Sequence, residues 1–263
     1  MAHHNESNTF LSFNFYCVMS TQPAITVQGL SKIYKQRGKL SVEALKNVSF
    51  SMQEGEATGL IGPNGAGKST LLRILLGFLP ADSGTVQLFG EHPESLRVRA
   101  MIGYQADTQF RAKNVTVKSL LQLHAELIGM SEAESQIEHL LTSFELLETY
   151  KRSLTSLSKG MRQKLELVLA FLGSPKLVFL DEPTAALDPP SVFALRDFLA
   201  EKKKEGITVL FSSHHLTEVE SICDRVIFIN KGMLVDDRPM QNVEPGYLEQ
   251  LFRKHLGIVS AVA

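Results

Sequence analysis

From Pro23 onward the hydrophobic positions follow two periods in turn, and their succession predicts a mixed α/β fold. The runs ITVQGL (25–30), EALKNVSFSMQ (43–53) and GTVQLFG (84–90) alternate apolar and polar residues, as strands with one wet face do. They predict a small antiparallel β subdomain. Three other runs, ATGLI (57–61), KLVFLD (176–181) and ITVLFS (207–212), are almost wholly apolar, as expected of strands covered on both faces. Each is followed by a helical pattern, and repeated βα units predict a mainly parallel sheet. Ligands of such sheets bind beyond the carboxyl ends of the strands, so the chemistry is expected just after residues 61, 181 and 212.

Between 115 and 172 the pattern is helical: VTVKSLLQLHAELIG, then SEAESQIEHLLTSFELL with a capping box expected at Ser131 and Glu134, then a helix opening at Gly160. This predicts an α-helical subdomain at about 108–165. RVIFIN and GMLVDD, within 225–237, predict a closing hairpin around Lys231-Gly232. Residues 241–256 read as an amphipathic helix within a C-terminal segment, 241–263. Residues 1–22 read as a disordered tail in which Met19 is a candidate start, leaving 23–240 as the folded domain.

Charge and composition remove several functions. The 27 Lys and Arg nearly balance the 28 Asp and Glu, so no bulk positive charge is left to grip nucleic acid or anionic lipid. The longest apolar candidate, Leu165 to Leu180, contains Glu166 and Lys176 and breaks at Gly173-Ser174-Pro175, well short of the roughly 18–20 residues of a membrane span. Membrane attachment is therefore expected to go through another protein. Phe10 to Met19 is apolar but lacks the basic start and cleavage site of a signal peptide. Cys17 and Cys223 form no CxxC pair, which fits a reducing cytosolic setting and no thiolate metal site.

Residues 62–70 read GPNGAGKST, matching GxxxxGK[ST] at Gly62, Gly67, Lys68 and Ser69, with Pro63, Asn64, Gly65, Ala66 and Thr70 completing the loop. Glycines let backbone N–H groups curl around phosphates, and the helix opening at Lys68 adds its positive dipole. Lys68 is suited to the β- and γ-phosphates and Ser69 to magnesium. The loop by itself fits P-loop kinases, GTPases and ATPases alike. LVFLDEP then puts Asp181 and Glu182 at the same edge, Asp181 for the magnesium shell and Glu182 as the base for the attacking water. FSSHH brings His214 or His215 there, where an imidazole can hold the γ-phosphate and the water. Adjacent histidines are expected to point apart, so no zinc site is predicted.

The succession GPNGAGKST, LSKGMRQKLELVLAFL, LVFLDEPTAALDP and SSHHLTEVESICDRVIFINKGMLV resembles the nucleotide-binding subunit of ABC transporters over about residues 24–237. The resemblance implies a P-loop ATPase core that binds ATP and Mg2+. It also implies a homodimer in which Ser158, Lys159 and Gly160 of one copy complete the ATP site of the other. Tyr34 would stack on adenine, Asp188 would be the D-loop residue, His214 would be the switch histidine, and His215 would be a bystander. In the signature, Lys159 and Met161 replace the family's usual glycine and glutamine. The family's Q-loop position, four residues after Gly103, is Asp107, with Gln105 and Gln109 on either side; Gln105 and Asp107 are the candidate metal contacts. MRQ, TAALDP and LTEVESICDRV resemble exporter ATPases with separate permeases, which implies an ATP-hydrolysing subunit at the cytoplasmic face of the cell membrane. The cargo would be chosen by the permease. A soluble ABC ATPase acting on nucleic acid or the ribosome is the alternative, but those usually carry a coiled-coil insertion or two ATPase halves. This chain has one half and no sustained heptads. A nucleotide sensor without turnover is argued against by the intact Glu182 and His214.

Overall fold

The computed structural model describes residues 22–35, 41–105, 114–241, 243–244 and 246–256. Its strands are β1 Ile25–Tyr34, β2 Val42–Met52, β3 Ala57–Ile61, β4 Ser83–Leu88, β5 Ile102–Gln105, β6 Leu177–Asp181, β7 Thr208–Ser212, β8 Arg225–Asn230 and β9 Met233–Pro239. Its α-helices are α1 Lys68–Leu75, α2 Leu96–Arg99, α3 Val117–Leu127, α4 Glu134–Ser143, α5 Lys159–Phe171, α6 Pro189–Lys204, α7 Leu216–Ile222 and α8 Tyr247–Leu256.

Two sheets carry the architecture, one of order β2-β1-β4 and one of order β5-β6-β7-β3-β8-β9. The first is antiparallel. The second is parallel from β5 through β8, with β9 returning antiparallel. Both match the two hydrophobic periods of the sequence. The apolar runs also have a physical account in the packing. Along β6, Val178 and Leu180 join one hydrophobic cluster with residues of α3 to α8, whereas Leu177 and Phe179 join the other with β1, β2, β4 and α1. β7 divides in the same way, Val209 and Phe211 against Leu210. A strand buried on both faces has no polar positions to show, which is why these runs look continuous.

Three local expectations are corrected. Helix α4 begins at Glu134 with Ala133 at its N-cap and no side-chain cap, so Ser131 and Glu134 form no capping box. The Glu134 carboxylate instead accepts the Tyr150 hydroxyl at 2.6 Å. The reciprocal box stands one helix earlier, where Thr116 accepts from the Ser119 N–H and Ser119 Oγ accepts from the Thr116 N–H. The last helix opens at Tyr247 rather than 241, immediately after Gly246, whose φ of 83° no right-handed helix contains. Strand β5 is an addition, four residues with too little alternation to announce themselves.

β5 is also where a helix comes closest to the sheet. A Cβ on Gly103 would sit 1.8 Å from the Ala170 carbonyl oxygen of α5, so backbone lies directly on backbone. Gly103→Ala is expected to force the two apart and cost on the order of 1–3 kcal/mol, the usual scale of overpacking. Thermal denaturation checks this, and an unchanged melting temperature would show that α5 can move off the sheet freely.

Candidate functional site

β3 is an interior strand of the parallel sheet, between β7 and β8, and its exit is the phosphate loop. Gly62 turns the chain with φ of 154°, and a Cβ there would stand 2.1 Å from the Ile229 carbonyl oxygen. Gly67, at φ of 115°, is the N-cap of α1, where a Cβ would come within 2.6 Å of the Ala44 carbonyl oxygen. Only glycine fits either place. The β8–β9 turn braces the loop, the Gly232 N–H donating to the Ala66 carbonyl at 2.8 Å and the Lys46 N–H to the Gly232 carbonyl at 2.8 Å. No side chain caps α1, so its first-turn N–H groups face the loop with their dipole unanswered. The Lys68 ammonium is buried and donates to the Gly62 carbonyl at 2.6 Å and the Pro63 carbonyl at 3.4 Å. Burial lowers its pKa, an effect opposed by the carboxylates of Glu182 and Asp181.

The acid pair leaves β6 beside this lysine. Asp181 accepts the Ser212 hydroxyl at 2.6 Å, a bond between adjacent strand ends that fixes its carboxylate. Glu182 has φ of 50° and its N–H donates to the Ser212 carbonyl at 3.1 Å. Its Oε2 lies 2.7 Å from His214 Nδ1 and accepts the His214 N–H at 3.4 Å. Of the two histidines that follow β7, His214 is therefore the one joined to Glu182. The expectation that the pair point apart fails, for their rings lie 4.1 Å apart between centroids and tilted by 38°. His215 precedes α7, and its N–H donates to Ser213 Oγ at 2.9 Å.

A cavity of about 660 Å³ collects these groups, lined by residues 64–70, Asp181 and Glu182, with Val42, Glu43, Ala44, Lys46 and Lys231 as further walls. The β2 and Lys231 contributions were not anticipated. The alternation of β2 puts Val42, Ala44 and Lys46 at every second position, but nothing local says that this strand, with Glu43, and Lys231 meet the cavity. Gly62 and Pro63 stand behind the cavity as the carbonyls that hold Lys68. Tyr34 is Val42's cross-strand partner, and its hydroxyl lies 3.5 Å from Thr70 Oγ1, at the cavity's margin rather than in its wall.

Ser158, Lys159 and Gly160 do not line the cavity. They form the N-terminus of α5, where Ser158 Oγ accepts the Met161 N–H at 3.1 Å. Asp188 caps α6 by accepting the Ser191 N–H at 3.3 Å, and hydrogen bonding from the Ser191 side chain, then from its N–H, holds the carboxyl below the usual range. Gln105 ends β5 with its side chain 0% exposed and its Nε2 3.5 Å from Glu166 of α5, and it does not line the cavity. Asp107 and Gln109 lie outside the described residues. Cys223 is buried, and burial pushes its thiol pKa up, which keeps it protonated. Among the described residues no cluster of His, Cys, Asp and Glu could hold a metal without a further ligand such as phosphate.

The family model described as ABC transporter matches residues 45–185, the stretch that spans the phosphate loop, the α5 N-terminus and the acid pair. The chain belongs to the ABC transporter family. An uncharacterized ABC transporter ATP-binding protein of Nostoc is 34% identical over 222 residues, covering 82% of this chain and 66% of its own length. The lantibiotic transport ATP-binding protein SrtF of Streptococcus pyogenes is 35% identical over 88% of this chain and 97% of its own. A solved structure described as the ATP-binding subunit of an ABC transporter superposes with a TM-score of 0.76 at 30% identity, covering 90% of this chain and 95% of that one. The chain spans 66% and 60% of the length of two curated relatives, those of Nostoc and Synechocystis. Among the described residues no helix is long and apolar enough to cross a membrane.

The ABC cavity fits a nucleoside triphosphate with a divalent cation. Its donors are the uncapped N-terminus of α1 and Lys68, and its acceptors are the carboxylates of Asp181 and Glu182, a hard-oxygen set suited to Mg2+ beside Ser69. Lys68→Ala is expected to weaken ATP binding roughly 10- to 100-fold, the worth of one charge-assisted contact. Titration calorimetry measures it directly, and undiminished affinity would remove the lysine from the phosphate site.

Proposed function

We propose that two copies of this chain close head to tail on two ATP molecules and hydrolyse them to drive a separate membrane permease in export. The observation that carries the two-copy reading is the separation of the α5 N-terminus from its own cavity. Ser158 and Gly160 stand at a helix N-terminus fit for an anion, yet they do not line the pocket that Lys68 and Glu182 share. A phosphate reaching them would come from a nucleotide held by another copy. The Streptococcus relative is a lantibiotic transport ATP-binding protein, which supports a transport role for this chain; export is the direction we propose. Attachment at the inner face of the membrane follows from a permease partner, since no described helix provides a span.

Bound ATP and Mg2+ supply the phosphoanhydride bond and the metal charge. Lys68 would exchange the Gly62 and Pro63 carbonyls for phosphate oxygens, and Ser69 and Asp181 would hold the cation, Asp181 already being aimed by Ser212. Glu182 would orient the water and take its proton on a carboxylate oxygen. With Glu182 ionised, His214 Nδ1–H donates to Oε2, which couples the base to the histidine before any nucleotide arrives. Tyr34, one strand from Val42, would stack on the base, and Asp107 is the remaining Q-loop position.

Two outcomes test this. Glu182→Gln is expected to bind ATP normally while turnover falls about 10²- to 10⁴-fold, the range of general-base contributions, and to accumulate as an ATP-dependent dimer on size-exclusion chromatography. Near-normal turnover would refute the base assignment. Ser158→Arg is expected to abolish turnover without weakening ATP binding to the isolated subunit; a matching loss of binding would put Ser158 in its own site.

A further inference from the structure

Gln163 lies one turn into α5 on the same face as Gly160, and both rest on the segment that leaves β6. The Gln163 side chain is 8% exposed, and its Nε2–H group donates to the Glu182 carbonyl at 3.3 Å and the Pro183 carbonyl at 3.0 Å. A Cβ on Gly160 would stand 3.0 Å from the Ala186 carbonyl oxygen, so the start of α5 is seated on residues 182–186 with little room to slide. Glu182 itself has φ of 50°, a conformation that a residue with a side chain keeps only when its neighbours hold it. Its peptide groups are held on both sides. The Ser212 carbonyl accepts the Glu182 N–H from β7, and the Glu182 carbonyl accepts the Ala185 N–H at 3.2 Å within the turn and Gln163 Nε2–H at 3.3 Å from α5, the one bond that ties it to another element.

We propose that Gln163 is a positioning residue for Glu182, and that it carries the engagement of the α5 N-terminus to the base of the same chain. The second half rests on the two-copy arrangement proposed above. In that arrangement Ser158 and Gly160 of one copy meet the nucleotide held by the other, while Gln163, a few residues along the same rigid helix, sets the backbone of Glu182 in its own copy. Any shift of α5 that accompanies nucleotide engagement at its N-terminus is passed to the Glu182 carbonyl, because the amide bridges two successive carbonyls and cannot follow the helix without moving them. The two sites are then linked by one side chain in each copy.

The test uses the full chain with Gln163→Leu, which keeps the volume and removes the donor. The expected result is a fall in kcat of about tenfold, roughly 1.4 kcal/mol in the barrier, with KM for ATP and the Kd for ADP within about twofold of the unsubstituted chain. Gln163→Glu is the companion. Its ionised carboxylate cannot donate, whereas its protonated form can, and burial against two carbonyls pushes such a carboxyl's pKa up from its ordinary value of about 4.3, so its turnover relative to the unsubstituted chain should recover as pH is lowered from about 8 to about 5. Unchanged kcat in Gln163→Leu, or equal losses of binding and turnover, would overturn the positioning role. If Gln163→Leu fails to fold, Gln163→Glu decides, and a flat relative pH profile overturns the role. The two-copy reading is judged separately. If Glu182→Gln with Gln163 intact forms no ATP-dependent dimer, that reading fails and the link between sites fails with it, while the local positioning of Glu182 still stands or falls on kcat.

Discussion

Parallel pairing holds Leu60 of β3 opposite Ser212 of β7, and Ser212 opposite Asp181 of β6, so three loops leave the sheet at one level. Asp181 stands at that level, and Glu182, the phosphate loop from Gly62 and His214 follow within two residues of it. In a parallel sheet the register is fixed by burial on both faces, since a slip of one residue would turn Val178 and Leu180 into the other core and expose a misfit on each side. The hydrophobic cores on the two faces therefore do more than stabilise the domain. They set the distance between Lys68 and Glu182 without any bond between those two side chains.

The same constraint explains what the sequence made legible. Strands buried on both faces are continuous apolar runs, and β3, β6 and β7 were readable for that reason, with the chemistry at their ends. Gly62, Gly67, Lys68, Asp181 and Glu182 could be named because each sits next to such a run. What lay hidden depends on contacts between distant segments. Lys46 and Lys231 reach the cavity because the β8–β9 turn hydrogen-bonds both the phosphate loop and β2, a meeting of three segments that no local pattern carries. Gln105 is ambiguous for the opposite reason. Its position two residues after Gly103 suits either a loop or a strand end, and β5 continues through it, turning its side chain into the core. The misplaced capping box has a similar origin, since Ser131 and Glu134 have the right spacing but the helix starts too late for Ser131 to reach it.

The glycines of the loop and the left-handed Glu182 are two versions of one demand. A phosphate must approach backbone N–H groups closely, which excludes side chains at Gly62 and Gly67, where a Cβ would overlap carbonyl oxygens. Glu182, the proposed base, carries a side chain and still turns sharply out of β6, so it occupies φ of 50° at a cost on the order of 1–3 kcal/mol. The hydrogen bond of its N–H to the Ser212 carbonyl and that of its carbonyl from Gln163 work against that cost. Strain of this kind persists where it aims a group, and here the group aimed is the carboxylate that meets His214 at 2.7 Å.

The charges in the cavity argue for the cation that would share it. Two adjacent carboxylates, Asp181 and Glu182, face one buried ammonium, that of Lys68, whose pKa they support against the burial that lowers it. Lys46 and Lys231 line the same cavity together with Glu43, so its lining holds three ammoniums and three carboxylates and no surplus of positive charge for a triphosphate. When a triphosphate enters with several negative charges of its own, Lys68 is drawn toward it and its support for the acid pair weakens, so a positive charge arriving with the nucleotide would ease the repulsion. A divalent ion near Ser69 and Asp181 would supply that charge, which is the electrostatic reason to expect the metal and the nucleotide to enter the cavity together.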